Sequence, residues 1–169
     1  MDSNGDTPLL CFMKDMVVYR EFDKQPMFML RLLLDKGANV NSSNSTGRTP
    51  LPYAVEARNL HVCKLLLDKG VNVNSTDATD RTPLSYVAGA GNLHECKILL
   101  EKGANVNSTD PTGRTPLSYA AGSRSWSSRD VCELFVEKGA NVNSTDSTGR
   151  TPLSYAAEAG NLQDRKSVV

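Results

Sequence analysis

Four cysteines and two histidines are the residues of this 169-residue chain with the greatest capacity for metal or redox chemistry. A zinc site needs four such groups converging at ligand spacing, and a disulfide needs two Cα atoms within ~7 Å. The spacing here meets neither demand. Cys63, Cys96 and Cys132 recur 33 and 36 residues apart, and His61 and His94 recur 33 apart. Each set therefore occupies one place in successive copies of a unit. The cysteines read as small apolar groups one helix-packing distance from each other, and the histidines as exposed polar residues. Cys11 stands alone where later units carry tyrosine. No Ser/Cys–His arrangement, Gly-rich phosphate loop or paired-carboxylate setting emerges. The expectation is a chain that is not an enzyme, with no catalytic residues, metal, cofactor or small-molecule substrate.

Two other columns of functional groups keep the same step. Arg48, Arg81, Arg114 and Arg150 each precede a Thr-Pro-Leu string, and Tyr53, Tyr86, Tyr119 and Tyr155 follow it by two residues. The arginines either pair with a local carboxylate or carbonyl, or form a row that clasps an acidic segment. In the second case Arg81→Ala and Arg114→Ala should leave the melting temperature nearly unchanged. The tyrosines either pack between units with their hydroxyls at the edge, or line a groove. Trp126, flanked by Arg124 and Arg129, has the composition of an interface anchor. It can equally take the core site of Leu60 on a helix lengthened by one turn. Five Asn-Ser-Ser/Thr strings match the glycosylation pattern, but four of their asparagines close a Val-Asn step, where the side chain is expected to bond the finger-turn backbone.

The elements that position these groups follow from the repeat. Thr-Pro-Leu opens at Thr7, Thr49, Thr82, Thr115 and Thr151, and a Lys-Gly string marks Gly37, Gly70, Gly103 and Gly139 in the same register. Thr82-Pro83 supplies an N-cap hydroxyl and a proline at the first helical position. That helix weakens at Gly89 and Gly91, and Asn92 is placed to cap a second helix whose stripe is Leu93, Cys96, Ile98, Leu99 and Leu100. Gly103 ends it as a left-handed cap, and a polar turn leads to the next unit. One such hairpin cannot bury its apolar face, so units must stack side by side.

Units such as TPLSYVAGAGNLHECKILLEKGANVNSTDPTGR resemble ankyrin repeats, with a length of about 33 residues and a signature near T-P-L-H-x-A. The resemblance covers essentially the whole chain. It implies an all-α solenoid of stacked helix-turn-helix units with projecting finger loops, in a single domain. The units are approximately 2–43, 44–76, 77–109, 110–145 and a partial 146–169. It also implies a concave surface that grips a protein, with contacts at the finger tips and exposed ends of the first helices. Those positions here are Arg48, Glu56, Ala78, Thr79, Arg81, Gly89, Ala90, Pro111, Thr112, Arg114, Gly122, Ser123, Ser147, Thr148, Arg150 and Glu158, with Trp126 beside them. The expected role is a non-catalytic adaptor or scaffold. The alternative is a stoichiometric inhibitor that occludes a kinase or a Rel-type transcription factor.

The chain departs from the family pattern in two ways. The histidine after Thr-Pro-Leu is replaced by Leu10, Pro52, Ser85, Ser118 and Ser154, and Asp80 stands where other fingers have Gly47, Gly113 and Gly149. The ends differ too. Leu9, Phe12, Met13, Met16 and Val17 suggest an extended capping helix before a turn at residues 23–26. Near the other end, Arg165 and Ser167 replace core residues, as expected of a truncated array with a frayed end.

Nineteen basic and nineteen acidic side chains cancel, which argues against a nucleic-acid partner held by a basic field. The apolar stretch from Met27 to Leu34 is broken by Arg31 and falls short of the ~20 residues of a membrane span. The first residues lack a basic leader and an apolar signal core. A monomer inside the cell, cytoplasmic or nuclear, is the resulting expectation.

Overall fold

The computed structural model describes residues 4–19, 24–77 and 79–164. Among these, all regular structure is helical: α1 (Pro8–Tyr19), α2 (Lys24–Asp35), α3 (Pro50–Glu56), α4 (Leu60–Asp68), α5 (Pro83–Ala90), α6 (Leu93–Glu101), α7 (Pro116–Ala121), α8 (Ser128–Glu137) and α9 (Pro152–Asp164). Helices α1, α3, α5, α7 and α9 stack in one row, each packing on the next. A second row holds α4, α6 and α8, and each hairpin joins the two rows. The core runs along the seam as a ladder of equivalent residues, with Leu51, Leu84 and Leu117 from the first row and Leu66 and Leu99 from the second.

The punctuation is local. Thr7, Thr82 and Thr115 accept the backbone N–H three residues on with their Oγ1 atoms at 3.3 Å. Thr49 makes no such cap. The third residue after it is Pro52, which has no N–H to give, and Thr49 instead pairs its hydroxyl with Ser75 at 3.1 Å. At the other end of the hairpin, Gly103 (φ +87°) donates to Leu100 while Ala104 donates to Leu99, the paired bonds of a left-handed cap. Asp80 adopts φ +51°, so aspartate does occupy the left-handed position of the finger. Arg58, the counterpart of Gly91, is left-handed as well, at φ +52°.

Two expectations need correction. Asn59 caps α4 through Val62, but Asn92 makes no side-chain cap on α6, whose first turn instead carries Glu95 against the helix dipole. Pro26 does not lie in a turn: it falls in the first turn of α2, where a missing N–H leaves no helical bond unmade. The last described helix is unbroken. Gly160, the counterpart of Gly91, stays inside α9, because no following helix packs there to hold a chain reversal among the described residues. Arg165 and Ser167, and with them the expected frayed end, lie outside the described residues.

The asparagines of the Val-Asn step, expected to bond the backbone of their own finger turn, reach the next unit instead. Asn74 donates through Nδ2 to the Gly103 carbonyl (3.1 Å) and accepts from the Asn105 N–H (2.8 Å) in the next unit. Asn41 does the same with Gly70 and Asn72, and Asn107 with Gly139 and Asn141. This ladder satisfies helix-end backbone groups across each boundary.

The extended α1 is confirmed, with Leu9, Leu10, Met13 and Met16 buried. Cys63 and Cys96 are buried core groups, and burial pushes both thiols up to about 12. Cys63, Cys96 and Cys132 form no disulfide.

Candidate protein-binding face

Each finger is built around one side chain that opens it. In the finger before α7, Asp110 Oδ1 accepts the Thr112 N–H (2.9 Å), the Thr112 hydroxyl (2.6 Å) and the Arg114 N–H (3.0 Å). Its Oδ2 accepts the Tyr119 hydroxyl (2.6 Å) and Arg114 Nε (3.0 Å). A single carboxylate thus closes the finger and ties it to the helix that follows. Asp77 and Asp146 repeat this with Tyr86 and Tyr155, and Asn44 does so with Tyr53 through its amide. Burial alone would raise the pKa of Asp110, but the hydrogen bonds from Thr112 and Tyr119 and the nearby Arg114 charge outweigh it and hold the carboxyl down at about 2. Asp77 is lowered by the same balance, and Asp146 mainly by its bond from Tyr155. Burial and the facing carboxylate push Tyr119 up to about 12, and raise Tyr86 and Tyr155.

The arginine and tyrosine columns interleave. Arg48 lies 4.3 Å from the Tyr53 ring centroid and 5.7 Å from that of Tyr86. Arg81 lies 4.0 Å from Tyr86 and 4.4 Å from Tyr119, Arg114 4.7 Å from Tyr119, and Arg150 4.1 Å from Tyr155. The guanidinium groups of Arg48 and Arg81 therefore form part of the packing between units, and those of Arg114 and Arg150 pack within their own. Three also carry an ion pair: Arg48 with Glu56, Arg114 with Asp110 and Arg150 with Glu158. The carboxylates at the base of the fingers were missed in the sequence, although an Asn or Asp precedes every column arginine by the same step. Their partners are polar and lie nearby, which composition does not mark.

Thr79, Pro111, Thr112, Ser147 and Thr148 stand exposed on the fingers, and the Ser147 N–H donates to the Thr112 carbonyl of the neighbouring finger at 2.8 Å. Ala78 lies outside the described residues. Glu56 is exposed at the end of α3 and Glu158 is exposed midway along α9, while Gly89 and Ala90 are half-buried. Gly122 lines a small hollow with Arg124, Tyr155, Glu158 and Ala159.

Trp126 does not enter the core. It is fully exposed, at 102%. The inserted residues form a loop instead of lengthening α8, because serines hold them there. Ser123 Oγ donates to the Gly89 carbonyl (2.8 Å), the Ser125 N–H donates to Ser123 Oγ (3.2 Å), and Ser128 Oγ donates back to the Ser123 carbonyl (3.1 Å). The loop base is pinned and its indole points to solvent.

His61 and His94 are exposed, and no group of three or more His, Cys, Asp or Glu residues is placed to hold a metal ion among the described residues. None of their helices is long and apolar enough to cross a membrane.

The family model for ankyrin repeats (three copies) matches residues 1–77 and again 70–146. The chain belongs to the ankyrin-repeat family. No curated protein matches it. Ankyrin repeats generally mediate protein–protein interaction and are typically non-catalytic. Where the ankyrin signature has histidine, Ser85 reaches only Thr82, at 3.2 Å, but Thr82 in turn meets Ser108 at 3.2 Å. A small hydroxyl chain stands in the place of the imidazole, and Thr115, Ser118 and Ser144 repeat it.

Proposed function

We propose that this ankyrin-repeat chain is a non-catalytic adaptor or scaffold that binds a protein on the face made by its fingers and first helices. The observation that carries this reading is the repeated finger itself. Four fingers are closed by the same hydrogen-bond set, with exposed threonines at Thr46, Thr79, Thr112 and Thr148. A surface already ordered before contact loses little conformational freedom on binding. The exposed Trp126 beside this face adds the residue type most often found at interface centres.

A photo-crosslinker placed at Thr112 on a finger, and separately at the exposed Lys97 on α6, tests the reading. One defined protein captured from cell extract at Thr112 but not at Lys97 is expected. Equal capture at both positions, or none at either, would overturn it.

A further inference from the structure

The repeats supply an internal template for what one of them lacks. In the second and fifth units the column arginine pairs with a glutamate eight residues on in the following helix, Arg48 with Glu56 and Arg150 with Glu158. In the third and fourth units that place is Gly89 and Gly122. Arg114 compensates by turning to Asp110 in its own finger, at 3.0 Å. Arg81 does not. Asp77, its finger carboxylate, accepts from Thr79, the Arg81 backbone N–H and the Tyr86 hydroxyl, the set that Asp110 also accepts, but among the described residues it takes no bond from the Arg81 guanidinium. Among the described residues the Arg81 guanidinium has no ion pair; its Nε is buried without a hydrogen-bond acceptor, as are those of Arg48 and Arg150, so the missing ion pair is what sets it apart.

The same group is held in place. Tyr86 and Tyr119 lie 4.0 and 4.4 Å from its central carbon, so the guanidinium is fixed without being neutralised. A Cβ added at Gly89 would meet the Tyr119 side chain at 3.9 Å, an ordinary van der Waals contact, so the position accepts a side chain without a clash at its first atom. An oriented guanidinium is suited to two parallel hydrogen bonds from a carboxylate.

We propose that Arg81 receives a carboxylate side chain, aspartate or glutamate, from the bound protein, which fills the place that Glu56 and Glu158 fill in their own units. This rests on the protein-binding reading for the source of the carboxylate. The site itself is a property of this chain.

The test is a titration of the arginine Nε–H resonances of the full chain by nitrogen-15 NMR, with N-acetyl-glutamate methylamide as the probe and its glutamine analogue as the control. The Arg81 resonance should shift saturably with the acid and not with the amide, while those of Arg48 and Arg150 stay in place. Gly89→Glu should abolish the response, its own resonance for Arg81 starting near the saturated position, and Gly89→Gln should retain it. Circular dichroism shows that both variants are folded. No saturable shift, an equal shift with the neutral analogue, or a response that persists in folded Gly89→Glu would overturn the site. Loss of the carboxylate response with capture at Thr112 intact refutes Arg81 alone. A normal response without capture refutes the protein-binding reading alone.

Discussion

The guanidinium of Arg81 crosses a repeat boundary to lie 4.4 Å from the ring of Tyr119, while 4.0 Å from Tyr86 in its own unit. Its removal opens a gap between two units as well as deleting a charge. Arg81→Ala should therefore cost about 1–2 kcal/mol of stability in a urea titration, given ~0.5–1 kcal/mol or more per desolvated cation–ring contact and the lost packing of the stem. An unchanged midpoint and slope would mean that the arginine only faces a partner, one of the two alternatives the sequence left open.

Acid should loosen the fingers in a defined window. Asp110 has its carboxyl held at about 2 in the folded chain, against ~3.9 unfolded. Its contribution is present above the unfolded value and is lost as pH falls through the folded one, so stability should decline between about pH 4 and pH 2 by roughly 2 kcal/mol from this group. Asp77 and Asp146 are lowered too and act in the same direction. Asp110→Asn should flatten this limb in melting curves taken against pH while preserving the finger, since Asn44 already fills the role in the second unit. An acid limb identical to wild type would contradict the assignment.

Left-handed backbone at Arg58 and Asp80 costs energy that glycine avoids. Arg58→Gly and Asp80→Gly should each stabilise by about 0.5–1 kcal/mol, the ~1–2 kcal/mol relief of side-chain crowding less the extra freedom glycine gains when unfolded. Thermal melting of each variant and of the pair checks this, and the two effects should add.

Equivalent leucines should differ in consequence. Leu99 is 1% exposed and Leu84 fully buried, so either change to alanine should cost about 2–5 kcal/mol. Leu153 stands at the Thr-Pro-Leu position of Leu84 but is 76% exposed, and Leu153→Ala should stay within about 0.5 kcal/mol. Denaturant unfolding of the three variants decides.

Trp126 is the sole tryptophan, so the emission of the native chain reports it alone. It should match that of free indole in water and be fully quenched by acrylamide. Trp126→Ala should change stability by less than about 0.5 kcal/mol. A blue-shifted, protected emission would place the indole in a packed environment.

What the sequence determined by itself is the part governed by near neighbours. Thr82-Pro83, Gly103 and the stripe through Leu99 act over three to five residues, and the reading of helix starts, glycine caps and stacked units from them agrees with the structure. The left-handed Asp80 was legible for the same reason. Departures appear where the deciding partner is a unit away. Whether Trp126 packs or projects depends on Ser123 meeting Gly89 in the previous repeat. Whether Asn74 serves its own turn or the next depends on Gly103, and whether Gly160 breaks a helix depends on a neighbour to pack against. The arginine column was visible as a row of charges. Only the stacked units bring Arg81 against Tyr119, because interactions between units are set by packing geometry, which no short window of residues contains.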